Sequence, residues 1–260
     1  MDSRFLFVGV VILLAVLGLV VLFSVPLGID HSEGPVVLGD SEEFVSAGQI
    51  SSEDQLLVRH DATVTNDTAH TVLEYENGTV ESVYRDGVVY TKHVTHVDNE
   101  DWFERNEPAT AEIIHSGEYQ DRFIRISKEN GTFDSSEIGS VRSMTYSGLS
   151  SADYEKTGEQ SDPARIVYSP ESTWMKLGSD TQRISSKSGD LKTDPETGIV
   201  RTASLRVTVT EVSSYGEFLF FSDDGDILDV QYEYDPEPDI DQVEKPSWFR
   251  QCVENDQCEF

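Results

Sequence analysis

From Leu205 onward the chain alternates Leu205, Val207 and Val209 with Arg206, Thr208 and Thr210. Side chains two apart in a strand share a face, so this stretch reads as a strand with one apolar and one wet side. The pattern returns at 227–234, where Leu228, Val230, Tyr232 and Tyr234 oppose Asp229, Gln231 and Glu233. Between them, 216–222 carries Phe218 and Phe220 on one side and Leu219 and Phe221 on the other, which predicts a central strand covered on both faces. With 199–212 these make three successive strands. Earlier, 56–65, 70–75, 79–85 and 88–97 are strand-like and are separated by Glu76-Asn77-Gly78 and Asp86-Gly87. Asn-Gly and Asp-Gly supply the positive φ angles of tight hairpin turns, so 56–97 predicts an antiparallel meander.

The middle is less regular. Residues 101–108 predict a helical turn ended by Pro108, 119–127 a strand or part of a helix, and 164–178 two short strands. Residues 135–158 predict one or two short helices, capped by Ser135 or Ser136, with a stripe of Ile138, Val141, Met144 or Tyr146, and Leu149. A further short helix is expected over 42–50. A one-sided antiparallel sheet needs a lid on its apolar face. The expected fold is therefore α+β: a curved antiparallel sheet of about eight or more strands, with the mid-chain helices across its concave face. Trp248 and Phe249, in the acidic Pro-rich tail, are expected to tuck against the sheet.

Ahead of this lies 5–25, an uncharged apolar run long enough to span about 30 Å as a helix. It reads as a retained signal-anchor, with a cleaved signal peptide as the competing reading. Arg4 favours a cytoplasmic N-terminus and an exterior C-terminal domain, a single-pass arrangement at the cell membrane. The expected division is 1–26 anchor, 27–50 polar stalk with the short helix, 51–250 a single extracellular domain, and 251–260 an acidic tail.

Composition sharpens this picture. The chain has 260 residues with 49 acidic and 19 basic, a formal charge of -30. Ten Tyr, twelve Phe and three Trp argue for a folded core and against a disordered acidic chain. A folded domain with such self-repulsion fits very salty water, where screening shortens to a few ångströms. No basic run exists to meet phosphates, so nucleic acid is excluded as a partner. Cys252 and Cys258, the two cysteines, suit a local disulfide in an oxidising compartment, against two inert thiols. Asn66, Asn77 and Asn130 each begin an Asn-X-Thr sequon, a candidate glycosylation site in an exterior domain.

Chemistry is sparse. His93 and His96, three apart on a strand, point to opposite faces and cannot share one ion there. His31, His60, His70 and His115 lack ligand spacing. The run 222–229 (SDDGDILD) lacks the alternation and closing Glu of a calcium loop. No nucleophile elbow, His-Glu-x-x-His or phosphate loop occurs. No metal, no cofactor and no enzymatic activity are expected.

Three stretches, 73–92 (LEYENGTVESVYRDGVVYTK), 194–212 (DPETGIV and the strand after it) and 243–249 (VEKPSWF), resemble haloarchaeal secreted lipoproteins. Those are similar in turn to the half-barrel lipoprotein-localisation and mycobacterial glycolipid-carrier proteins. The resemblance implies an apolar cavity between sheet and helices. Its candidate wall is Val83, Tyr90, Met144, Leu149, Leu205, Val207, Val209, Phe218, Phe220, Leu228, Val230 and Tyr232, with an ordinary packed core as the competing reading. Two functions follow. One is a membrane-tethered domain that binds or handles a lipid or other hydrophobic ligand. The other is a non-catalytic cell-envelope structural or protein-interaction domain whose partners are envelope proteins.

Overall fold

The computed structural model describes residues 34–39, 41–53, 55–97, 110–131, 145–177, 180–212, 217, 219, 225–240 and 243–258. They form one thirteen-stranded antiparallel sheet. The strands in chain order are β1 (Phe44–Ser52), β2 (Gln55–Val64), β3 (Thr68–Tyr75), β4 (Gly78–Arg85), β5 (Val88–His96), β6 (Glu112–Tyr119), β7 (Arg122–Asn130), β8 (Asp153–Ser161), β9 (Ala164–Glu171), β10 (Thr173–Leu177), β11 (Asp180–Thr193), β12 (Val200–Glu211) and β13 (Asp226–Asp235). Across the sheet they run β6-β7-β5-β4-β3-β2-β1-β13-β12-β11-β9-β8, with β10 also on β11. The first and last strands thus meet in the middle, Gly48 opposite Tyr232 and Ile50 opposite Val230. Everything on one side of that seam is N-terminal and everything on the other is C-terminal.

The turns follow local chemistry. Asp86 and Gly87 take φ of 53° and 78° and close β4 onto β5, the positive-φ pair a two-residue hairpin needs. In the β11–β12 turn, Asp194 Oδ1 accepts the backbone N–H groups of Thr197 and Glu196 at 3.0 and 3.1 Å, and Arg201 donates to Oδ2 at 3.3 Å. These bonds, Thr197 foremost, hold its carboxyl down to about 2.

Several expectations are corrected. Residues 42–50 are not helical: Phe44, Ser46, Gly48 and Ile50 are buried at every second position of β1, a strand period that overrides the acidic, helix-like start. Within 135–158 the described helix is five residues, 145–149, and β8 begins at Asp153. Glu217 and Leu219 are helical, not part of a strand over 216–222. An apolar run without alternation fits either conformation. The strands β6, β8 and β11 escape the sequence reading; DYEKTGEQS in β8 has no apolar alternation because it is an edge strand wetted along most of its length.

The larger correction concerns shape and lid. The domain is mostly sheet, and the sheet is open, neither closed nor strongly curved, so the half-barrel with helices over a concave side is set aside. Paired residues point to the same side of a sheet, so the registers define two faces. The face of Phe44, Ser46, Gly48 and Ile50 also carries Val58, His60, Ala62, Leu205, Val207, Val230 and Tyr232. There the main core packs, roofed by Val36, Leu149 and Ala152. Ser41 N–H donates to Tyr234 Oη at 3.1 Å, which fixes the incoming chain on this face. The opposite face, that of Val83 and Tyr90, bears a second cluster of Val83, Ile126, Trp248, Phe249 and Cys252. It is covered by a π-helical turn, Phe249–Glu254.

Among the described residues no helix is long and apolar enough to cross a membrane. The anchor expected at 5–25 lies outside the described residues, as does 101–108. The membrane-anchored, single-pass reading and the membrane-lipid partner are accordingly not carried forward.

Candidate functional site

One register row crosses the whole sheet on the Val83 face: Ile126, Lys92, Glu81, Val72, Asp61, Ala47, Glu233 and Thr202. At one end it is sealed. Ile126 is 0% exposed, and Glu81 accepts Trp248 Nε1–H at 2.6 Å on one oxygen while its other lies 2.8 Å from His70 Nε2. The ring of Phe249 meets Tyr90 edge-on at 5.1 Å. Burial lowers the pKa of Lys92 against the opposing pull of Glu81.

At the other end the row is open. Ala47 is too small to fill its place, and Gln49, Arg59, Asp61, Ser204, Gln231 and Glu233 stand around it, forming a trough of about 530 Å³ across β2, β1, β13 and β12. Arg59 Nε donates to Asp61 Oδ2 at 3.0 Å, which fixes the guanidinium along the rim. Gln49 faces Gln231, which faces Ser204, so donors and acceptors alternate across four adjacent strands. A second depression, about 500 Å³, lies by the β3–β4 turn and is lined by Leu57, Tyr75, Asn77, Val80, His93 and Thr95 among others.

Directly beneath the trough, on the Phe44 face, His60 is buried against Gly48; a Cβ there would lie 2.4 Å from its Cε1. Its Nε2 is 3.5 Å from Ser46 Oγ and its Nδ1 has no hydrogen-bond partner. Burial pushes the pKa of His60 down to about 4, with Asp61 pulling the other way. A base so weak, sealed from solvent beside a serine that is itself buried, is poorly matched to general-base work near neutral pH. Burial and the Arg125 charge likewise push His93 down to about 4.

The residues nominated as a cavity wall do not enclose one space. Leu149, Leu205, Val207, Val230 and Tyr232 are packed in the main core with Val209 and Leu228 against it, whereas Val83 and Tyr90 belong to the cluster on the other face. Met144, Phe218 and Phe220 lie outside the described residues. With the wall split between two faces of an open sheet, the lipid-handling reading is corrected as well. Cys252 and Cys258 are joined by a disulfide. Asn66, Asn77 and Asn130 are exposed, at the β2–β3 loop, the β3–β4 turn and the end of β7, and the Asn66 amide donates to Glu43 at 2.6 Å. His70 pairs with Glu81; His93 and His96 fall on opposite faces of β5; His31 and 222–224 lie outside the described residues. Among the described residues no group of three or more His, Cys, Asp and Glu is placed to hold a metal ion.

The sequence reading missed the trough. Its signal was there in the polar alternate positions Gln49, Arg59, Asp61, Gln231 and Glu233, but nothing in the chain says that these strands are neighbours. No family model matches the chain, and no curated protein matches it.

Proposed function

We propose that this chain is a non-catalytic protein-interaction domain that meets its partner on the open polar face of β2, β1, β13 and β12. The observation that supports it is the trough. Arg59, Thr202, Ser204, Gln231 and Glu233 are all exposed on adjacent strands, while the same sheet face is covered over β4, β5 and β7. A surface of amides, hydroxyls and one fixed guanidinium suits a wet interface built from hydrogen bonds. In concentrated salt such contacts survive where long-range attraction is screened. The -30 charge supports partners other than nucleic acid.

The test is site-directed photo-crosslinking in salt-matched extracts. A crosslinker at Gln231 is expected to give a discrete protein adduct that is lost in an Arg59→Ala, Gln49→Ala double variant, whose stability changes by no more than about 0.5 kcal/mol per site. The same crosslinker at Glu155 on the β8 edge is expected to give none. Equal labelling from both positions, or none from Gln231, sinks the reading.

A further inference from the structure

The buried histidine of the main core is the feature that neither the trough nor the packing explains. A core position on β2 flanked by Val58 and Ala62 would take an apolar side chain at no cost in hydrogen bonds. His60 instead buries an imidazole that is 2% exposed, with one nitrogen unpartnered and the other only at the 3.5 Å limit from Ser46 Oγ. Leaving a ring nitrogen without a partner away from water is unfavourable. Among the described residues, what covers it is the helix 145–149. Thr145 Oγ1 is 3.3 Å from the point where a Gly48 Cβ would stand, beside the ring, and Gly148 packs on Val230. The helix 145–149 therefore lies over the row of His60, Gly48 and Tyr232. Among the described residues its polar contacts are Ser150 N–H to Tyr146 O at 2.8 Å, Ser151 N–H and Oγ–H to Gly148 O at 3.3 and 2.6 Å, and Tyr154 Oη–H to Leu149 O at 2.7 Å. The last of these ties the helix to Tyr154 of the edge strand β8, and none of them reaches β1, β2 or β13 beneath it.

We infer that His60 is a proton-operated latch: its neutral ring seats the 145–152 segment on the sheet, and protonation lifts that segment while the sheet stays paired. Among the described residues the groups that face the ring are Ser46 and Gly48 on β1, Leu73 on β3, Tyr232 on β13 and Thr145 on the helix. None of these described groups carries a negative charge that would hold an imidazolium in place. The carboxylate that acts on it is Asp61, its neighbour along β2, which points to the other face. An imidazolium there must reach water, and among the described residues the helix 145–149 is what stands in its way.

The sign follows from linkage. With the segment seated, His60 resists protonation until about pH 4; with it lifted, the ring returns toward 6.5. The lifted form therefore binds more protons between these values and gains population as pH falls. Stabilisation of the seated form is fully present above 6.5 and is lost on descending to about 4.

The test is amide hydrogen exchange by mass spectrometry on the full chain at fixed high salt, from pH 7 to 4, corrected for the intrinsic pH dependence of exchange. In the wild type, amides of 145–152 are expected to lose protection about tenfold per pH unit below 6.5, about 300-fold in all. Those of β12 and β13 should hold theirs. In His60→Gln and His60→Leu the slope for 145–152 should vanish. Should either variant fail to fold, the imidazole Cε1 proton of wild-type His60, followed by NMR, must titrate together with the loss of protection in 145–152. Protection in 145–152 that does not depend on pH, or that is lost in step with β12 and β13, overturns the latch.

Discussion

The two apolar clusters on opposite faces of the sheet are built in different ways. The core on the Phe44 face joins β1, β2, β12 and β13 across the central seam and includes the fully buried Leu205, Val207 and Val230. Each of these strands buries alternate residues, and in β2, β12 and β13 the sequence already marked a strand with a face to bury. The cluster on the Val83 face rests on three side chains from 248–252, brought more than a hundred residues back to β4, β5 and β7. It is fixed by a polar node at Glu81, shared between Trp248 and His70, and by Arg85 of β4 donating to Glu254 at 3.4 Å. The first cluster decides whether the sheet exists; the second decides only which part of its other face is covered, and so where the trough begins.

The sharpest break of that comparison is Leu205→Ala. Truncating a side chain that is 2% exposed at the seam is expected to cost about 4 kcal/mol and to lower the denaturation midpoint of the whole sheet. Phe249→Ala is expected to cost about 3 kcal/mol but with a different signature: 243–258 becomes sensitive to limited proteolysis while β12 and β13 keep their exchange protection. If Phe249→Ala unfolds the seam as Leu205→Ala does, the two clusters are one cooperative unit and the contrast fails. The smallest effect belongs to the disulfide. Cys252→Ser with Cys258→Ser opens a loop of sequence separation 6, worth about 2 kcal/mol in restricted unfolded chain. The loss should appear in the protease sensitivity of the tail before it appears in the midpoint. A midpoint drop equal to that of Leu205→Ala would mean that the tail, not the seam, controls the fold.

Legibility in the sequence followed the same division. Where one face is buried and the other wet, as in β12 and β13, the alternation named both strands and their buried sides. Asp86-Gly87 named its hairpin because left-handed backbone is tolerated by few residue types. Strand β1 was misread because Glu42 and Glu43 imitate the first turn of a helix, and only its pairing with both β2 and β13 makes the Phe44, Ser46, Gly48, Ile50 period decisive. Strand β11, rich in Ser and Lys, is a strand because β12 on one side, with β9 and β10 on the other, needs its backbone groups. The trough and the latch were invisible for one shared reason: both join residues from strands that become neighbours at the closing pair of β1 and β13.

By itself, then, the chain determined which stretches extend, where they turn, which side of each strand seeks cover, and that the surface is strongly acidic. Those properties are set within a few residues by sterics and by the two-residue period of side-chain direction. The order of the strands, the placing of Val83 and Leu205 on opposite faces, the burial of His60 under 145–149 and the opening beside Ala47 were decided only in three dimensions. Period two says that a face needs burying, but not what buries it; that depends on backbone pairing between segments nearly two hundred residues apart, such as Val45 and Asp235.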